Sequence, residues 1–196
     1  MLAAGAAERM GTAKQLLPYG PGTVLGSVVA AAMQSQLDRV VVVTGFHADA
    51  VERMLGEDVT VVRNPDPSRG NRSSLLAGAD AVADAAAVVL LLGDHPETEA
   101  GDIDAVVAAW RADHPLAAVC DFRGTVTHPF LLSRECLGEV RRLAGPKPLW
   151  RHLVEEPVHE VTRVPVDRAA PIDVDTPDDY RRLTGNDPLP PEAADP

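Results

Sequence analysis

The chain is expected to fold as an α/β protein: a three-layer, mostly parallel open sheet with helices on both faces. Three observations predict this. Short apolar runs rich in valine and leucine recur along the chain, and helix-like segments separate them at short spacing. The runs are continuously apolar rather than alternating, as strands buried on both faces must be. Aromatic residues make up only 4% of the sequence, so the apolar mass of Ala, Val and Leu suits close helix-on-sheet packing.

Taken in order, Val40–Val43 closes with Thr44-Gly45 and reads as a buried strand. Val59–Val62 is a second, ending before the turn cluster Asn64-Pro65-Asp66-Pro67. Val88–Leu92 is the strongest and ends at Gly93-Asp94; Leu116–Val119 follows. Helices are expected over Val24–Gln36, Ala48–Leu55, Ser74–Ala86 and Asp102–Arg111. The second half is less regular, with a strand over Thr125–Leu132 interrupted by His128-Pro129, helices over Arg134–Leu143 and Leu149–Glu155, and a strand over Val158–Val166. Thr176-Pro177-Asp178-Asp179 supplies an N-cap, a first-turn proline and two first-turn acids, and that helix is expected to end near Gly185. One domain over residues 1–184 with a disordered tail over 185–196 follows from these boundaries. In such sheets the ligand site lies beyond the carboxyl ends of the strands.

A net charge of −11 argues against general affinity for nucleic acid or an anionic membrane, so an anionic ligand needs a local cationic pocket. The longest apolar stretch, Ala85–Leu92, is far short of a membrane span, and no signal peptide is apparent. Cys120 and Cys136 lack the spacing of a metal-binding pair, which suits reduced thiols in a cytoplasmic protein.

The opening segment offers such a pocket. Leu2-Ala3-Ala4-Gly5 carries no bulky side chain, so its backbone can approach a ligand closely. Arg9 and Lys14 add a forked and a point-like cation suited to a triphosphate, although solvated charges on an alanine-rich loop would give the same pattern. Only Met1 and Leu2 precede this loop where a strand of about five residues is expected. The supporting strand is therefore either a stub or begins upstream of Met1.

Asp94, at the tip of the third strand in Gly93-Asp94-His95-Pro96, could hold a hard divalent cation or simply cap a turn. Asp173 and Asp175 fall on one side of an extended segment, and Asp175 adjoins the Thr176 cap. Helix-dipole decoration explains Asp178 and Asp179 better than Asp173, which leaves convergence on Mg²⁺ as the alternative. Ser73 and Ser74, after Gly70-Asn71-Arg72, could contact a base or phosphate, or one could be an ordinary N-cap. His95 and His128, each followed by proline, read as pocket-lining or structural, because no Gly-x-Ser-x-Gly accompanies them. Trp110 and Trp150 read as helix residues packed on the core.

In order along the chain stand Leu2–Gly11, Lys14–Pro18, Asn64-Pro65, Ser73-Ser74-Leu75, Gly93–Pro96, His128-Pro129 and Ile172–Pro177. This succession resembles the MobA-like NTP transferase family, in particular its molybdenum cofactor cytidylyltransferase branch, over residues 2 to 184. The resemblance implies a Rossmann-like fold of the nucleotide-diphospho-sugar transferase type. It implies nucleotidyl transfer from an NTP to a phosphorylated acceptor, with pyrophosphate released. Residues Leu2, Ala3, Ala4 and Gly5 would contact base and sugar, joined by Asn64, Ser73, Ser74 and Gly93. Arg9 and Lys14 would hold the triphosphate and, with Asp94, carry catalysis; Asp94 and Asp175 would bind Mg²⁺. The acceptor side would include His95, Pro96, His128 and Lys147. Ala-Ala-Gly, rather than Ala-Gly-Gly, looks like members that use CTP.

The sequence departs from the family pattern in three places. His95 stands where glutamine is usual, and Gly70-Asn71-Arg72-Ser73 replaces a Gly-Met-Ser stretch. The segment Ala144-Gly145-Pro146-Lys147-Pro148-Leu149-Trp150 replaces Gly-Asp-x-Gly-Ala-Arg. These departures leave the acceptor open between a pterin phosphate, a sugar or alditol phosphate, and another cofactor precursor. A nucleotide-binding accessory role beside a molybdoenzyme maturation partner is the alternative from a different class.

Overall fold

The structure is a computed structural model describing residues 1–142, 148–155 and 161–188. Its strands are β1 (Leu2–Ala3), β2 (Pro18–Tyr19), β3 (Gly22–Thr23), β4 (Val41–Thr44), β5 (Thr60–Arg63), β6 (Ala87–Leu90), β7 (Ala117–Phe122), β8 (Thr125–Ser133) and β9 (Thr162–Val166). Its helices are α1 (Val24–Gln34), α2 (Ala48–Met54), α3 (Asn71–Ala81), α4 (Ala100–Asp113), α5 (Arg134–Val140), α6 (Pro148–Trp150, continued by a π-turn over Arg151–Glu155) and α7 (Pro177–Thr184).

The main sheet runs β5-β4-β1-β6-β8-β7-β9, its two halves joined by a parallel bridge between Leu2 and Leu92. Among the described strands, β8 alone runs antiparallel in this sheet, to both β6 and β7. β1 covers two residues here and is well held. Leu2 donates to Leu91 and accepts from Gly93, each at 2.9 Å, while Leu2 and Ala3 register with Val43 and Thr44 on the other side.

Alternation along the strands sorts the core into two faces. Val88, Leu90, Ala117, Val119, Phe130 and Leu132 pack toward α3, α5 and the 148–155 segment. Val42, Val89 and Leu91 on one half, and Ala118, Cys120 and Leu131 on the other, pack toward α1, α2 and α4. Three layers follow, as expected from strands apolar on both sides. Thr23 and Ser133 cap α1 and α5 by accepting from Gly26 and Cys136. Cys120 and Cys136 are free and buried, their thiols pushed up to about 12 by burial and nearby carboxylates. No helix among the described residues is long and apolar enough to cross a membrane.

Several expectations are corrected. β5 is not buried on both faces: it is the sheet edge, with Thr60, Val61 and Arg63 exposed. The helix expected over 74–86 starts at Asn71 and ends at Ala81, because Gly70 at φ 81° breaks the chain before it. Ser73 and Ser74 therefore lie in its first turn and do not cap it. Lys147 and the tail from 189 onward lie outside the described residues.

β1 changes direction of winding in this sheet: β4 and β5 continue on one side, β6 and the rest on the other. That switch point opens the crevice where doubly wound sheets bind ligands. Gly93 makes the crevice floor possible. A Cβ there would meet Leu25 Cδ1 at 2.8 Å and the Leu2 carbonyl oxygen at 3.1 Å. Gly93→Ala is expected to cost about 1–3 kcal/mol by overpacking β1 against α1. Thermal melts should show it as a loss of several degrees.

Candidate active site

A cavity of about 870 Å³ opens at the switch point, between the carboxyl ends of β1 and β6 and the strap from β9 to α7. The 2–9 loop forms one wall. Gln15 pins this loop by donating from Nε2 to the carbonyls of Ala3 (3.4 Å) and Gly5 (3.3 Å). Met10 and Leu17 anchor it beneath, in a small apolar cluster with Val24, Val174 and Tyr180. The loop's small side chains matter for packing too: a Cβ on Gly45 would lie 2.6 Å from the Ala4 carbonyl oxygen.

Val174 is fully buried in that cluster, so its neighbours Asp173 and Asp175 turn together toward the cavity. Val174 N–H donates to the Asp94 carbonyl at 3.0 Å, which brings the strap beside the β6 turn. A capping box fixes Asp175 from the other side: Asp179 Oδ2 accepts from the backbone N–H of Thr176 (2.8 Å) and Asp175 (3.2 Å).

The charges interlock at the cavity floor. Lys14 is 6% exposed, with Nζ 2.6 Å from Asp94 Oδ2 and 2.7 Å from Asp175 Oδ1. Arg9 reaches the other Asp175 oxygen at 2.5 Å. Burial disfavours the Lys14 charge, but Asp94 and Asp175 outweigh it and hold its pKa above the usual lysine value. Desolvation likewise disfavours the Asp175 carboxylate; Lys14 and Arg9 outweigh it and lower its pKa. Asp173 has no such partner. Desolvation by the cavity walls, then Asp94 and Asp175, push it up to about 6, although its side chain is open to solvent on the cavity side.

The structure gathers most of the sequence-predicted site. Leu2, Ala3, Ala4, Gly5, Arg9, Lys14, Ser74, Gly93, Asp94, His95, His128 and Asp175 all line the cavity. Asn64 and Ser73 stand behind the wall: buried Asn64 donates from Nδ2 to the hydroxyls of Ser73 (2.8 Å) and Ser74 (3.0 Å). Pro96 turns away from the cavity, its carbonyl accepting from Ser27 at 3.1 Å. Gln15, Phe130 and Trp150 also line the cavity, and no local pattern marks them as site residues. Trp150 lines the cavity rather than only packing on the core, and stacks with Phe130 at 6.2 Å; Phe130 in turn stacks on His128 at 4.0 Å. Burial and the neighbouring His95 push His128 down to about 3, so its ring is neutral. No local spacing could have joined Trp150 to Phe130, because β8 and α6 meet only in the folded sheet.

At the switch point of an open sheet, a small-residue loop and a cationic pair locked to carboxylates form a pocket suited to an anionic ligand. The chain belongs to the MobA-like NTP transferase domain family, whose model matches residues 1–161. It is 30% identical over 181 residues to the molybdenum cofactor cytidylyltransferase of Escherichia coli K12, covering 91% of this chain and 90% of that protein. The crystal structure of Rv0371c from Mycobacterium tuberculosis H37Rv superposes with a TM-score of 0.85 at 38% identity, covering 94% of this chain and 95% of that one. The same protein in complex with manganese gives a TM-score of 0.80 at 35% identity, covering 94% and 96%.

Proposed function

We propose that the protein transfers CMP from CTP to a phosphorylated acceptor of molybdopterin type, with Mg²⁺ as cofactor and pyrophosphate as product. The interlocked pairs of Lys14 and Arg9 with Asp94 and Asp175 carry the reading. Each partner in that cluster is a stand-in for what a metal–triphosphate would offer the other. Phosphate oxygens can take over Lys14 and Arg9, which frees carboxylate oxygens for a cation. Asp94 Oδ1 is buried with no hydrogen-bond partner among the described residues, so the donor set fits a hard divalent ion. When bound, Mg²⁺ neutralises charge on the triphosphate.

Leu2–Gly5 with Ser74 would seat base and sugar, Asn64 and Ser73 bracing Ser74 from behind. Arg9 and Lys14 would hold the triphosphate so that an acceptor phosphate oxygen attacks the α-phosphorus in line, with pyrophosphate leaving. Positioning and charge neutralisation supply the rate; no protein nucleophile is needed. On the acceptor side, the His128, Phe130 and Trp150 rings favour a planar heteroaromatic body over a sugar or alditol. The name of the Escherichia coli relative supports the pterin, and the manganese complex of the mycobacterial protein supports a divalent metal. Two free buried thiols suit a cytoplasmic setting.

The test is pyrophosphate release by the purified protein, with each NTP and Mg²⁺, with and without a pterin phosphate. Release with CTP that depends on the pterin is the expected result. Release with an alditol or sugar phosphate instead would move the acceptor. Nucleotide binding without turnover on any acceptor would leave an accessory protein of molybdoenzyme maturation.

A further inference from the structure

A grouping of three metal-ligating side chains lies beside Asp175 without including it. It is Asp94, His95 and Asp173, whose ligating atoms lie within 4.8 Å of one another. Both Asp175 oxygens are meanwhile taken, one by Lys14 and one by Arg9. Lys14 engages Asp94 through Oδ2 only, which leaves Oδ1 buried and unpartnered.

His95 supplies the second observation. It is 4% exposed, and its Nδ1 is also buried with no hydrogen-bond partner among the described residues. An unsatisfied polar atom in that setting costs about 1–3 kcal/mol. A neutral imidazole keeps a lone pair to donate. The aromatic neighbour on its other side, His128, meets it edge-on at 5.9 Å and is neutral.

One nitrogen and two carboxylate oxygens form a different site from an all-oxygen one. Mg²⁺ prefers oxygen in octahedral array and gives up its waters reluctantly, whereas first-row transition ions accept imidazole readily. We propose that the nucleotide-free protein holds a divalent transition-metal ion between Asp94, His95 and Asp173, in preference to Mg²⁺. Asp175 enters this site only after a nucleotide has drawn Arg9 and Lys14 away. The inference rests on the divalent-metal part of the function proposed above, and it assigns His95 to the metal rather than to the acceptor.

Mn²⁺ is the probe, added to the full-length protein without nucleotide and read by electron paramagnetic resonance. The expected result is one bound Mn²⁺ per chain with a ¹⁴N coupling in pulsed spectra, displaced only by more than about tenfold excess of Mg²⁺. His95→Gln should remove the ¹⁴N coupling and weaken Mn²⁺ binding by at least about tenfold, since outer-shell partners alone are worth that much. Bound Mn²⁺ without nitrogen coupling in the wild-type protein overturns the assignment, as does displacement by an equal concentration of Mg²⁺ or no binding at all. These signals do not need turnover. A protein that binds Mn²⁺ in this way yet releases no pyrophosphate refutes the transferase reading alone.

Discussion

Lys14→Met should lower turnover by about 10²–10³-fold, the scale on which a single preorganised charge-stabilising donor acts. Pyrophosphate release under saturating substrates measures it. The same variant should lose stability at neutral pH, because Asp94 and Asp175 would face each other and Asp173 without their shared cation. Removing one partner of a buried pair costs about 3–5 kcal/mol. These carboxylates are 23% and 33% exposed, so about 1–3 kcal/mol is the expected loss. The sign with pH is fixed by Asp175, whose folded pKa lies below its ordinary value. Its contribution is present above the ordinary carboxylate range and disappears as pH falls through the lowered value. The gap between wild type and variant should thus be widest near pH 7 and close below about pH 4. A gap that is flat with pH would mean that Lys14 stabilises by packing alone.

Asp94→Asn should abolish turnover, a loss of about 10³-fold or more if the carboxylate holds the catalytic cation. The fold should survive. Asn keeps the volume, and the Val174 N–H bond goes to the Asp94 backbone carbonyl, which the substitution leaves in place. The change also relieves a neighbour, since after desolvation the Asp94 charge does most to raise Asp173. In the variant, the Asp173 titration followed by NMR should move down from about 6 toward the ordinary carboxylate range. Near-normal turnover, or an unmoved Asp173, would take Asp94 out of the metal site.

What the sequence revealed and what it hid divide along physical lines. The buried strands, the small-residue loop and the Thr176 cap were legible because each is a local pattern of burial, sterics or capping. Asp173 and Asp175 were legible as a pair facing one way, because side chains alternate along an extended segment. Their different fates were not. Asp175 is neutralised by Lys14 and Arg9, while Asp173 remains beside Asp94 and His95, and that partition depends on contacts spanning more than 160 residues. β5 looked like any valine run, and its exposure at the sheet edge is set by the order of strands, which no short window contains. Gln15 was hidden for a similar reason: its role as a pin exists only once the loop has curled back over it.

The hydrogen bond from Val174 to Asp94 also ties the last segment of the sequence to the first half of the chain. The 2–9 loop, Lys14 and Asp94 come from the first half of the chain, whereas Asp173 and Asp175 arrive with the strap before α7, after β7, β8 and β9. Without that strap, Lys14 would have only Asp94 to balance it. The last segment therefore supplies the carboxylate that pairs with both Lys14 and Arg9.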